Sequence, residues 1–556
     1  MVNHGRSGAC NTCLRRRVAC DKAKPACSRC RNSNFVCYGY EKTKRSIKFK
    51  DQTSYALAKS ERRPRGYTKP KSDEHSTWKL ELQSLDESYD IQAITLFFNH
   101  IVLPGRDKSS TSGLFEIIIP LYATCSQQSP LYHAILATAM VILTLRRGEP
   151  ADGFLPSKCF HTALASLQNA LSNQCQSKQN EVLMGTILLQ LRENIIAMSQ
   201  SRQVSPVHHR GAVSLVEHRG FHNYEDDASK YLLLQVLHNE VASAIRHGGR
   251  VHSDLLRKCL RKDMPSNASF ELDKLGIVVA EIQTYFKSLN VQDHGCCDAQ
   301  CTSQEDLDHL HNQASALEQK LQSWARSVPS YWQPFRLSAP PDSIPTYRNI
   351  CEIYPSIQIA SIWNTWRCYR IINLKVVMAC SLGQLSCVLA LERSPSRDYD
   401  KKGIYQSVQQ CLDSISYSVP FYLGNRHSKW DLYSAAPNLE FPSYHNLNAD
   451  EFSSLQLSRH CTVLPHEVHS RHVLGQGAWH ILSHLSHVSD LLSDATGKSM
   501  RSCSPSDQIN WIEEQLVRAA FLLGLSPNMN HSCSTWTKDG VVSGTWVKTV
   551  AQLIKT

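Results

Sequence analysis

Six cysteines fall within 28 residues, spaced Cys10-x2-Cys13-x6-Cys20-x6-Cys27-x2-Cys30-x6-Cys37. The pattern C-x2-C-x6-C occurs twice, with six residues between the copies. A segment of about 30 residues cannot bury an adequate hydrophobic core, so some cross-link must hold it. Disulfides, a single zinc finger and a shared metal cluster are the alternatives. In an intracellular chain a tight cysteine cluster is more often metal-binding than disulfide-bonded. The N-terminal MVNHGRSGAC has no apolar h-region, so nothing predicts secretion. C-x2-C brings two sulfurs onto one ion, and structural zinc takes four ligands in a tetrahedron. Six thiolates cannot fill two separate four-ligand sites, so two of them would have to bridge. A binuclear cluster of two Zn2+ on Cys10, Cys13, Cys20, Cys27, Cys30 and Cys37 meets that count.

Charge is concentrated around the same segment. Residues 1–71 hold 19 Lys/Arg against 4 Asp/Glu, and the remainder holds 41 against 45. Two Zn2+ on six thiolates add a formal −2 and leave this region strongly basic. The run Cys13-Leu14-Arg15-Arg16-Arg17-Val18-Ala19-Cys20 predicts a short helix after the first C-x2-C. Consecutive arginines on it suit a DNA major groove. There Arg grips guanine O6 and N7 in a bidentate manner, worth about 1–3 kcal/mol of discrimination.

Residues 9–40, ACNTCLRRRVACDKAKPACSRCRNSNFVCYGY, resemble the fungal Zn2Cys6 binuclear-cluster transcription regulators in all six ligands and all five spacings. The resemblance implies that Cys10 and Cys27 bridge the two zincs. Cys13 and Cys20 would complete one ion, Cys30 and Cys37 the other. Pro25, in the loop joining the halves, also matches. The resemblance further implies that Arg16 and Arg17 read a CGG triplet. Arg15, Lys22, Lys24, Arg29 and Arg31 are expected on phosphates, which add affinity but little sequence information. Leu14 and Ala19 stand where the family often carries basic residues, which predicts fewer phosphate contacts.

Three regions are expected: a zinc module at 8–38, a basic and mostly disordered linker at 39–90, and a helical body at 91–556. The linker carries Glu41–Lys50, with five Lys/Arg, and Arg62-Arg63-Pro64-Arg65. Such runs read as nuclear-import signals, and the resemblance implies a backbone-tracking arm. In the body, Leu131, Ile135, Thr138, Ile142 and Leu145 share one helix face, as do Leu183, Ile187, Leu191, Ile195 and Met198. Further helices are expected over Ser229–Arg246, Leu272–Leu289, Glu305–Ser327, Ile357–Met378, Ile404–Val419, His472–Leu492 and Asp507–Leu525. Residues 291–304, 424–455, 493–507 and 526–544 read as loops. The fold class is all-α. No apolar run reaches the roughly 20 residues of a membrane span, and Leu80, Leu82 and Leu85 sustain no coiled coil.

The body resembles the family's helical regulatory domain at His208–Gly220, Trp363–Arg370 and His472–Leu492. In some relatives that domain senses a small molecule; plain scaffold packing is the default reading. His480, His484 and His487 at helical spacing and His466-Glu467-Val468-His469 are read as structural, the loop with Cys296, Cys297 and Cys301 as free thiols, and Gly475-Gln476-Gly477, which lacks a third glycine and a preceding strand, as no dinucleotide site. Neither a G-x-S-x-G nor a P-loop is present, and nothing argues for an enzyme. The expected function is a nuclear regulator of RNA polymerase II transcription bound to promoter CGG/CCG elements. Co-regulators and a second copy of the chain are the other expected partners. The alternative is an adaptor or repressor acting through the body.

Overall fold

The computed structural model describes residues 9–40, 89–102 and 114–523, apart from 201, 203, 221–222, 253–254, 256–258, 261–263, 292–303, 338–339, 383–400, 428–438, 449–464, 494–496, 499 and 502–503. The chain divides into two compact units, Met1–Lys79 and Leu80–Thr556. The basic runs at 41–50 and 62–65, the loop with Cys296, Cys297 and Cys301, His294, and residues 526–544 lie outside the described residues, as does nearly all of 39–90.

The first unit contains two short helices, α1 (Asn11–Arg16) and α2 (Ser28–Asn32). The expected helix over Cys13–Cys20 is therefore displaced: it begins earlier and stops at Arg16. Arg17 adopts φ 55°, which an α-helix cannot continue.

The second unit is helical almost throughout. In order it contains α3 (Tyr89–Phe97), α4 (Leu114–Thr124), α5 (Pro130–Arg146), α6 (Phe154–Leu171), α7 (Asn180–Ser199), α8 (Val207–Arg219) and α9 (Asp227–His247). Then come α10 (Ala268–Val291), α11 (Gln304–Ser327), strands β1 (Phe335–Leu337) and β2 (Cys351–Ile353), α12 (Ile357–Leu382), α13 (Lys401–Leu423), α14 (His466–His472), α15 (Ala478–Leu491) and α16 (Ser506–Leu522). Local chemistry sets many boundaries. Ser129 caps α5 by accepting from the Tyr132 N–H at 3.1 Å, with Pro130 in the first turn. Asp226 caps α9 through the Ser229 N–H at 2.9 Å, and Gly248 ends it at φ 67°.

Helices α5 and α7 form the centre of the N-terminal half, packed against α3, α6 and α8. Their burial exceeds one face: Val182–Leu188 of α7 are all buried. Each fully buried Leu or Ile there contributes about 1.5–3 kcal/mol. Among the described residues α7 is the helix long and apolar enough to cross a bilayer, but most of it is core. In the C-terminal half α12 packs against α10, α11, α13 and α15, and α15 against α16.

Two features escape the periodicity. Strands β1 and β2 pair antiparallel with Phe335 opposite Ile353 and Arg336 opposite Glu352. This hairpin delivers Glu352 into the core, where its Oε2 accepts from Arg367 Nη2 (3.1 Å) and Tyr354 Oη (2.8 Å). The second is a pair of π-helical turns, Phe98–Val102 and Val473–Gly477, that pack together. A side chain at Gly475 would collide with the His100 carbonyl oxygen, and one at Gly477 with that of Tyr422. Gln476 Nε2 donates to the Ile101 carbonyl. The Gly475-Gln476-Gly477 stretch is thus a close backbone contact.

Candidate metal centre and nucleic-acid interface

The two halves of the first unit repeat each other at an offset of 17 residues. Cys10 Sγ accepts from the Cys13 N–H at 3.4 Å, and Cys27 Sγ from the Cys30 N–H at 3.3 Å. Each helix then ends the same way. Val18 N–H donates to Cys13 O (3.1 Å), and Phe35 N–H to Cys30 O (2.9 Å). Both are six-to-one closures around a left-handed residue, Arg17 (φ 55°) and Asn34 (φ 53°). A second left-handed pair follows, Lys22 (φ 61°) and Gly39 (φ 65°). The halves are joined by a loop containing a cis Lys24–Pro25 peptide. Asp21 Oδ2 receives the Ser28 N–H at 3.0 Å, and Thr12 Oγ1 donates to Val36 O at 2.9 Å.

The six sulfurs gather into two groups of four, Cys10/Cys13/Cys20/Cys27 and Cys10/Cys27/Cys30/Cys37, each with its sulfurs within 4.8 Å of one another. Cys10 and Cys27 belong to both. The Cys10–Cys27, Cys13–Cys27 and Cys10–Cys30 separations are 3.6, 3.6 and 3.8 Å. A tetrahedron with zinc–sulfur bonds of about 2.3 Å has edges of about 3.8 Å. The donor set therefore fits two tetrathiolate zinc sites that share an edge. Cys10, Cys13, Cys27 and Cys30 are fully buried, whereas Cys20 and Cys37 are partly exposed.

The protein prepares these thiols unequally. Burial pushes Cys13 up to about 12 and raises Cys10 and Cys27 as well. Backbone N–H donation from Cys10, and then from Lys22, brings Cys20 down to about 6. Backbone hydrogen bonds from Cys27 and Gly39 bring Cys37 to about 7. The outer thiols are thus ready ligands, while zinc must displace protons from the inner ones. Tyr40 Oη lies 3.8 Å from Cys20 Sγ and donates to Ala23 O at 2.8 Å.

Arg15, Arg16, Arg17, Lys22, Lys24, Arg29 and Arg31 are all exposed on this module. Arg16 differs from the others: its guanidinium sits 3.7 Å over the ring of Phe35, itself 50% exposed. Arg31 Nη2 donates to Ala26 O at 3.2 Å. Phe35 and Tyr40 were not legible as site residues, because neither titrates usefully nor falls on a ligand spacing.

The histidines in the body serve hydrogen bonds. His480 Nδ1 and His484 Nε2 lie 3.1 and 3.0 Å from Ser361 Oγ, and His480 Nε2 is 3.1 Å from Gln476 Oε1. His469 Nε2 is 3.2 Å from Pro442 O, and burial draws its ring down to about 3. The His208–Gly220 stretch forms α8, ending at Gly220 with φ 70°. The Trp363–Arg370 stretch lies in α12, where Trp363 Nε1 donates to Trp332 O at 2.7 Å.

A family model described as the fungal Zn(2)-Cys(6) binuclear cluster domain matches residues 8–46. No curated protein and no solved structure matches the chain. Its N-terminal module is a Zn2Cys6 binuclear cluster domain, and a large helical region follows it.

Proposed function

We propose that this protein is a nuclear regulator of RNA polymerase II transcription that reads CGG-type triplets through its zinc module. The domain match implies a DNA-binding transcription regulator of the fungal type and, with it, nuclear function. In this reading 8–38 binds DNA, 39–90 links, and 91–556 regulates or recruits.

The observation that carries the reading is an asymmetry between the two halves. The second half puts Asn34 and Gly39 in its left-handed positions, residues that tolerate that backbone. The first half puts Arg17 and Lys22 there. Cations in a backbone conformation that costs them about 1 kcal/mol point to a demand on the side chains. Arg16 and Arg17 lie at the end of α1, where bidentate pairing with guanine is the best use of such groups. Stacking on Phe35 restrains the Arg16 side chain, which lowers the entropy lost on binding. Arg15, Lys22, Lys24, Arg29 and Arg31 neutralise phosphates around it. Bound zinc supplies the folding energy that fixes these positions.

The test is a gel-shift titration with zinc-loaded protein on CGG-containing and scrambled duplexes. Arg16→Ala with Arg17→Ala should abolish the preference for CGG while leaving weak, salt-sensitive binding. Unchanged preference would refute the base-reading assignment. Zinc-loaded protein that shifts no duplex would make the adaptor reading the better one.

A further inference from the structure

Within the helical body, α9, α10, α12 and α15 line a half-open cavity of about 690 Å3. That is the size range of pockets that hold small organic molecules. Its walls are chemically divided. Phe286, Ile372 and Trp479 offer an apolar surface. Arg246, Lys287 and Lys375 bring three cations against the one carboxylate in the lining, Asp490. This excess is local, since residues 72–556 hold slightly more acids than bases. His238, also in the wall, has its own counter-charge in Asp273, 2.9 Å away.

Two of the cations are placed by backbone. Lys375 is 8% exposed and donates from Nζ to the Leu491 carbonyl at the end of α15 (3.1 Å). Lys287 lies against Gly248, and any side chain at 248 would occupy the space its ammonium fills. The third cation is different. Arg246 makes no hydrogen bond, ion pair or ring contact with the described residues. Arg246 is an exposed residue, and partial desolvation still draws its pKa below the ordinary arginine value. An exposed guanidinium with no protein partner can take a bidentate grip on an entering oxyanion.

We infer that this cavity binds a small organic anion, a carboxylate or phosphate on an apolar or aromatic body. The anionic head pairs with Arg246, and the body lies along Phe286 and Trp479. Guanidinium matches either oxyanion by bidentate bonding, so the two head groups are separated by experiment. The inference concerns the body alone and does not depend on how the zinc module reads DNA.

The test uses the full-length zinc-loaded protein, with calorimetry and thermal denaturation against phenylpyruvate, phenyl phosphate, inorganic phosphate and neutral phenylethanol. At least one aromatic anion should bind saturably, at one per chain, and raise the melting temperature. Inorganic phosphate and phenylethanol should bind at least tenfold more weakly. Arg246→Ala should weaken the anion at least tenfold with its ligand-free melting temperature unchanged, and Arg246→Lys should restore part of the affinity. Lys287→Ala is the second variant, to be used if Arg246→Ala lowers the ligand-free melting temperature. Absence of binding by both aromatic anions overturns the inference. So does equal binding of phenylethanol, or affinity that neither variant changes.

Discussion

At the scale of single residues, the two halves of the module fill their left-handed positions with different chemistry. Arg17 and Lys22 occupy left-handed positions that in the other half fall to Asn34 and Gly39. Replacing Arg17 by glycine removes the steric penalty but adds freedom to the unfolded chain, and the two effects partly cancel. The expected net gain is at most about 0.5 kcal/mol in the zinc-loaded module, read as unchanged or slightly tighter zinc in a chelator competition. The same variant should lose CGG preference in a gel shift. Retained preference would show that the side chain has no part in reading. A second residue-level prediction follows from the shared sulfurs. Cys10→Ser should leave the protein with fewer than one zinc per chain, because Cys10 belongs to both groups of four. Cys20→Ser removes a ligand from one group and should retain about one ion, as measured by metal analysis. The six ligands were legible in the sequence because spacing alone brings sulfurs together. The φ angles of Arg17 and Lys22 were not, since they arise only when the chain closes around the cluster. The stacking of Arg16 on Phe35 depends on that same closure.

At the scale of elements, amphipathic periodicity found the long helices but missed several that pack around them. Helix α4 carries Pro120 in its interior, which reads as a breaker. Three-residue strands are too short to show alternation, so the β1–β2 hairpin was invisible. That hairpin nevertheless positions a buried ion pair. Glu352 and Arg367 are 2% and 3% exposed at the side chain, and Ser414 and Arg336 also bond to Glu352 Oε1, at 3.1 and 3.2 Å. Removing Arg367 takes away the buried counter-charge of Glu352 and leaves it only the exposed Arg336. Arg367→Met should destabilise the body by about 3–5 kcal/mol in urea unfolding, and pairing it with Glu352→Gln should recover part of that loss. A loss below about 1 kcal/mol would mean that water reaches the pair. The π-turn glycines teach the complementary lesson. Gly475-Gln476-Gly477 carries no ligand signal in sequence, and its meaning appears only where His100 and Tyr422 approach the backbone.

At the scale of the molecule, two units meet the folding problem by different means. The helical body has a continuous apolar core, whereas the module has four buried cysteines and a few contacts around them. Chelation should therefore abolish DNA binding while leaving the melting temperature of the body and nearly all helical circular dichroism in place. A drop of several degrees in the body transition on chelation would show that the two units depend on each other. The edge shared by Cys10 and Cys27 also bears on how the protein responds to scarce metal. The first ion to bind organises two of the four ligands that the second requires. If that placement outweighs the weaker donor strength of thiolates already bound to one ion, singly loaded chains should be a minor species in a zinc titration followed by native mass spectrometry, and scarce metal would then change the number of fully loaded copies more than the state of each. A titration dominated by one-zinc chains would refute this.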